Sequence, residues 1–181
     1  MRTAFRLTAV SIVLLAIPTH TTPVAVSAAD GVAPPTLHAQ APDASDVAEG
    51  MRLYLQKGDC QACHGWAADG RKMDSQMPDG PNLRETKLNR ERLIQTIKCG
   101  RPGTGMPAFD KFAYSDGRCY GMTQADLKSP MPDPAATFQQ REIELLVNFL
   151  LSKVVGKGPM NHAKCVEYWG SDVETCREFP Q

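Results

Sequence analysis

Three stretches of this chain place apolar residues at helical spacing, and long polar or proline-rich segments separate them. In the first, Val47, Met51, Tyr54 and Leu55 fall on one face of a helix. Ser45 or Asp46 is its expected N-cap, with Glu49 three residues after Asp46 as capping-box partner. The second carries Leu93, Ile94 and Ile97, with Asn89 to cap it and Gly100 to end it. The third, over residues 137–155, is the most regular: Ile143, Leu146, Val147, Leu150 and Leu151 line one face and Phe149 widens it. Gly156 is the expected stop, and Lys153 sits in the last turn, where a cation complements the helix dipole. No stretch alternates convincingly at the period of a strand. The pattern predicts a mostly α-helical protein.

What lies outside these helices divides the chain. Arg2 and Arg6 flank an apolar run over residues 7–17, and small residues follow around "AVSAAD". This is the layout of a secretory signal peptide, with cleavage expected near Ala28 or Ala29. The run is short for a spanning helix, which needs about 20 residues, and no other segment has the length and character to span, so no stable membrane span is expected after cleavage. We therefore divide the chain into a signal peptide (1–28), a flexible proline- and alanine-rich linker (29–44), a main domain (45–155) and a C-terminal extension (156–181). Within the main domain, residues 110–137 are rich in Gly, Pro, Asp and Ser and are expected to be loop.

Charge removes one class of function. The chain has 20 basic and 20 acidic residues, and loss of Arg2 and Arg6 leaves 18 against 20. A nearly neutral mature protein has no electrostatic drive toward nucleic acid. The six cysteines, in an exported chain, point instead to cross-links or an attached cofactor in an oxidising compartment, here the periplasm.

The chemistry is in "GDCQACHGW". Cys60-Gln61-Ala62-Cys63-His64 is a C-x-x-C-H motif, the attachment signature of c-type haem. Two thiols three positions apart on a helical turn add to the two vinyl groups of one porphyrin, and the adjacent histidine ligates its iron. A thioredoxin-like redox site would need alternating strands and helices. A zinc site would need a second ligand pair, and a plain disulfide has no use for His64. The chain shows no convincing strand pattern and no obvious second ligand pair.

Around this motif the chain resembles the class I, mitochondrial-type cytochromes c over residues 46–155. The resemblance implies a fold of three to five helices around one covalently bound haem c, here with a long loop insertion and a disulfide-bearing tail. Gly50 and Tyr54 match the family's glycine and aromatic on the first helix, and Leu146 and Phe149 match the crossing point on the last. Gly80-Pro81-Asn82-Leu83 matches the family's Gly-Pro-x-Leu segment. That match implies that the Pro81 carbonyl accepts the second ring N–H of the ligating histidine and so fixes its tautomer.

The far side of the iron needs its own ligand. His20 leaves with the signal peptide, and His38 lies in the linker. Met73, Met77, Met122 and Met160 sit in polar or irregular segments. Met106, in "CGRPGTGMPAF", follows the stop at Gly100 and a Gly-Thr-Gly turn that lets backbone approach a flat cofactor, and Pro107 fixes φ just after it. The resembled family places its axial methionine in such a context. Met131 and His162 are the rivals.

The remaining cysteines, Cys99, Cys119, Cys165 and Cys176, allow three pairings. Proximity favours Cys99–Cys119, which would close a loop containing Met106 and hold it, and Cys165–Cys176 in the tail. Tyr168 and Trp169, inside that second loop, either dock a partner or pack back on the main domain. The function implied is electron transfer rather than catalysis, with redox proteins as partners: an exported dehydrogenase as donor and a terminal oxidase or another cytochrome as acceptor. The alternative is a haem enzyme or gas sensor with an open sixth position.

Overall fold

The computed structural model describes residues 42–72 and 74–179. The signal peptide, nearly all of the linker, His20, His38 and Met73 lie outside them. Helix α1 spans Ala44–Arg52 and runs on through a π-helical turn, Leu53–Lys57. A single turn α2, Gln61–His64, carries the C-x-x-C-H motif. A 3-10 turn at Leu83–Glu85 leads to α3, Arg90–Cys99. Helix α4, Gln140–Phe149, again runs into a π turn, Leu150–Val154, and the tail adds α5, His162–Trp169, and a 3-10 turn at Glu174–Glu178. No strand forms among the described residues; there is one isolated bridge, Cys119 with Met122. None of their helices is long and apolar enough to cross a membrane.

The crossing of α1 and α4 builds the core, around Leu53, Tyr54, Ile143, Leu146, Val147 and Phe149. Gly50 makes it possible, because a β-carbon there would lie 2.1 Å from the Leu145 carbonyl oxygen and 2.7 Å from Phe149 Cβ. The α1 start differs from expectation. Asp43, not Ser45 or Asp46, is the N-cap, its carboxylate accepting from the Ser45 N–H at 2.7 Å. That frees Asp46 to meet Arg141 of α4 at 2.8 Å, while Glu49 pairs with Arg52 in place of a capping box. Helix α3 is capped as expected by Asn89, which accepts from the Arg92 N–H at 3.0 Å, and ends at Gly100 with φ +61°. Helix α4 begins later than expected, on a Gln139–Glu142 capping box, and Lys153 donates to the Glu167 carbonyl at 2.9 Å, tying α4 to the tail.

Both disulfides favoured by proximity form: Cys99–Cys119 and Cys165–Cys176. They stabilise unlike structures. Residues 110–137 leave the main body at Phe109 and return at Phe138, whose rings stack at 4.9 Å and whose backbones bond N–H to carbonyl at 2.8 Å. Between them the insertion folds around its own small core of Cys99, Ala113, Tyr114 and Cys119, against which Met131 packs. The tail instead joins the main core. Tyr168 is 4 % exposed, donates to the Trp66 carbonyl at 2.7 Å and stands edge-on to Trp66 and Phe149. Of the two expectations for Tyr168 and Trp169, packing back on the main domain is the one observed.

Candidate functional site

The turn bearing Cys60, Cys63 and His64 is gripped from both sides. The Cys60 N–H donates to the Tyr54 carbonyl at 3.0 Å, so the end of α1 sets where the motif begins. The Tyr54 hydroxyl reaches over the turn to the Gly65 carbonyl at 2.7 Å. On the other side the Gly80 N–H donates to the Cys63 carbonyl at 3.1 Å. Gly80 is placed so closely that a β-carbon would come within 2.7 Å of both that oxygen and His64 Nδ1. Gly-Pro is therefore more than a turn here: its glycine admits the segment to the histidine and its proline supplies the partner. Pro81 holds its carbonyl 2.9 Å from His64 Nδ1.

A carbonyl oxygen can only accept, so Nδ1 carries the proton and Nε2 keeps its lone pair. His64 is 8 % exposed. Burial lowers its pKa; the Pro81 bond acts against this and the charge of Arg101 acts with it. The ring is thus held neutral, in the tautomer and orientation a metal-binding imidazole needs. Burial also pushes the Cys60 thiol up to about 12, and the Cys63 thiol is raised for the same reason, with Asp59 adding to both.

The donor set fits a covalently attached haem. Of six cysteines, four are paired, and the two left as free thiols are those of the motif, Cys60 and Cys63. Disulfide chemistry has passed over the closest pair in the sequence. A thioredoxin-like use of that pair finds no strand scaffold among the described residues, and no cluster of three or more metal-binding side chains occurs among them either.

Met106 lies on the segment after α3 and is partly buried. Its carbonyl accepts from the Arg101 N–H at 3.2 Å, and its N–H donates to Thr104 Oγ1 at 3.2 Å, which closes the loop on itself. Gly105 sits against Pro78, a β-carbon there meeting that ring at 2.4 Å. The methionine loop therefore meets the segment that leads into Gly80 and Pro81. The rivals are engaged elsewhere: Met131 packs on the insertion's core, and His162 Nε2 lies 3.2 Å from Asp172 Oδ1 in the tail.

One residue of consequence escapes sequence reasoning. Arg84, directly after Gly-Pro-Asn-Leu, is 2 % exposed and has no carboxylate partner among the described residues. Its guanidinium donates to the Gly158 carbonyl at 2.6 Å and the Ala67 carbonyl at 3.3 Å, joining the tail to the segment just past the motif. Burial lowers its pKa, but an arginine stays charged. Nothing in its local sequence signals this, since both acceptors are distant backbone.

Residues 45–124 match the family described as cytochrome C oxidase, cbb3-type, subunit III, a stretch that holds C-x-x-C-H, Gly-Pro-x-Leu and the Met106 loop. No curated protein and no solved structure matches the chain. The helical fold, two thiols spared from cross-linking beside a buried, oriented imidazole, and this match agree with one another. Over residues 45–124 the chain is thus similar to a c-type cytochrome family, and its helical fold is consistent with the class I kind.

Proposed function

We propose that the protein is a periplasmic monohaem electron carrier, or the cytochrome subunit of a redox complex. In this reading Cys60 and Cys63 would hold the haem covalently, and His64 and Met106 would ligate its iron. The observation that carries it is the His64 Nδ1–Pro81 carbonyl bond beside the two free thiols. The bound haem supplies one-electron chemistry between ferrous and ferric iron. The chain supplies the rest. Pro81 and Gly80 hold the imidazole in one tautomer and orientation, with Nε2 free to ligate a metal. The Arg101–Met106 and Met106–Thr104 bonds fix the loop that presents the thioether.

The donor we propose is an exported dehydrogenase, and the acceptor a terminal oxidase or another cytochrome; the matched family's own description, an oxidase subunit, supports the direction. Pyridine-haemochrome analysis should find one haem c per chain. The ferric protein should show the weak red charge-transfer band of an iron–thioether bond, and Met106→Ala should lose it while keeping the covalent haem. A high-spin wild-type protein that binds carbon monoxide readily would overturn the ligand assignment in favour of an open site. Co-purification from the native source identifies the partners.

A further inference from the structure

The insertion over residues 110–137 is attached to the root of the methionine loop by more than its disulfide. Helix α3 ends with the carbonyls of Cys99 and Gly100 pointing past the last turn, where no helical N–H can reach them. Two tyrosine hydroxyls from the insertion supply the missing donors: Tyr114 to the Cys99 oxygen at 2.6 Å, and Tyr120 to the Gly100 oxygen at 3.0 Å. Tyr114 is buried in the insertion's core, whereas Tyr120 is 43 % exposed.

Tyr120 also adopts a left-handed backbone, φ +57°, within the tight turn in which the Met122 N–H returns to the Cys119 carbonyl at 2.9 Å. A bulky side chain there is strained, and such strain persists only where the surroundings impose it. What imposes it here is Cys119, bonded to Cys99, on one side and the Gly100 carbonyl on the other.

The anchored residues touch the methionine's own peptide. At Gly100 a β-carbon would lie 2.5 Å from the Pro107 carbonyl oxygen and 2.7 Å from that of Met106, so the Gly100 backbone is a floor on which the Met106–Pro107 segment rests. Arg101, the next residue, bonds the Met106 carbonyl. Hydroxyl, helix end, floor and ligand peptide thus form one continuous chain of contacts.

We propose that Tyr114 and Tyr120 are positioning residues for the sixth iron ligand, acting with the Cys99–Cys119 disulfide to keep the Met106 loop closed against exogenous ligands. The proposal rests on the assignment of Met106 to the iron. Its test is imidazole titration of the ferric holoprotein, because added imidazole competes directly with the thioether and so measures how firmly the loop holds it.

Tyr114→Phe/Tyr120→Phe should bind imidazole about tenfold more tightly, equivalent to ~1.4 kcal/mol, and lose the red band at a lower pH than wild type. Cys99→Ser/Cys119→Ser should shift both readouts further in the same direction. If either double variant fails to fold, Tyr120→Phe alone, at a partly exposed hydroxyl, should give a several-fold gain. Arg141→Gln, which breaks only the exposed pair with Asp46 at 2.8 Å, serves as a stability control and should leave imidazole affinity unchanged. A wild-type protein without the red band overturns the ligand assignment. A wild type with the band, and tyrosine variants with wild-type imidazole affinity, overturns the positioning role and leaves these tyrosines as helix-end caps.

Discussion

Gly50→Ala is the sharpest perturbation of the fold, because two effects of known size oppose each other at one position. Alanine is the better helix former by about 1 kcal/mol, so in an exposed helix the change would stabilise. Here the new β-carbon would stand 2.1 Å from the Leu145 carbonyl oxygen, while ordinary contact begins at 3.4 Å. That oxygen belongs to a helical peptide and cannot rotate aside, so α1 and α4 must separate by about 1 Å. Overpacking of this kind costs about 1–3 kcal/mol, and a rigid backbone obstacle puts it at the upper end. The net loss is then about 2 kcal/mol, or about 7 °C in melting temperature for a domain of this size. Urea unfolding of the ferric holoprotein, followed by circular dichroism, should show a lower midpoint with an unchanged slope. Equal or greater stability would show that the two helices are not held as closely as Gly50 implies.

Other substitutions test separate joints of the structure. In Glu142, burial raises the pKa, but the Lys57 ammonium and the Gln139 N–H outweigh it and bring it below 4.5. A carboxylate depressed in the folded state stabilises above its unfolded pKa, and that contribution is lost as pH falls through the folded value. Glu142→Gln should therefore cost about 0.5 kcal/mol at neutral pH and progressively less on acidification below about 4.5; a gap that widens in acid would contradict this. Arg84→Met strands the Gly158 and Ala67 carbonyls and should cost about 2 kcal/mol, with faster proteolysis in the tail. Lysine should not restore it, lacking the fork that spans both oxygens; wild-type resistance in Arg84→Lys would refute the two-carbonyl account. Cys165→Ser/Cys176→Ser opens a loop of 11 residues' separation and should cost about 3 kcal/mol by loop entropy, with red-shifted emission from Trp66 and Trp169. Unchanged emission would mean that the tail stays packed without its link.

Much of this was legible in the chain itself, and the exceptions share a cause. The C-x-x-C-H turn, the Gly50 crossing, the Asn89 cap and the histidine–proline bond are governed by residues near one another or by a strongly specified pattern. The start of α1 was not, because Asp43, Ser45 and Asp46 are all competent caps, and the choice releases Asp46 for an ion pair with Arg141, 95 positions away. Likewise α4 begins on Gln139, an unusual cap rescued by its reciprocal bond with Glu142. The π turns that extend α1 and α4 depend on packing and leave no periodic trace. Arg84, Tyr114 and Tyr120 were overlooked because their partners are backbone carbonyls, and a carbonyl carries no sequence signal.

The two additions to the main domain look alike on paper, each an extra length bracketed by a cysteine pair, yet they differ in modularity. The 110–137 segment departs and returns at one stacked phenylalanine pair and encloses its own interior. It is in effect a cassette: excised and replaced by a short turn joining Phe109 to Phe138, it would expose little of the main core. The tail has no such seam. Cys165, Tyr168 and Cys176 belong to the same interior as Leu53 and Phe149, so truncation at Gly156 would uncover the aromatic face behind the C-x-x-C-H turn. Removing the cassette would cost the end of α3 its anchors at Cys99 and Gly100, whereas removing the tail would open the main core itself.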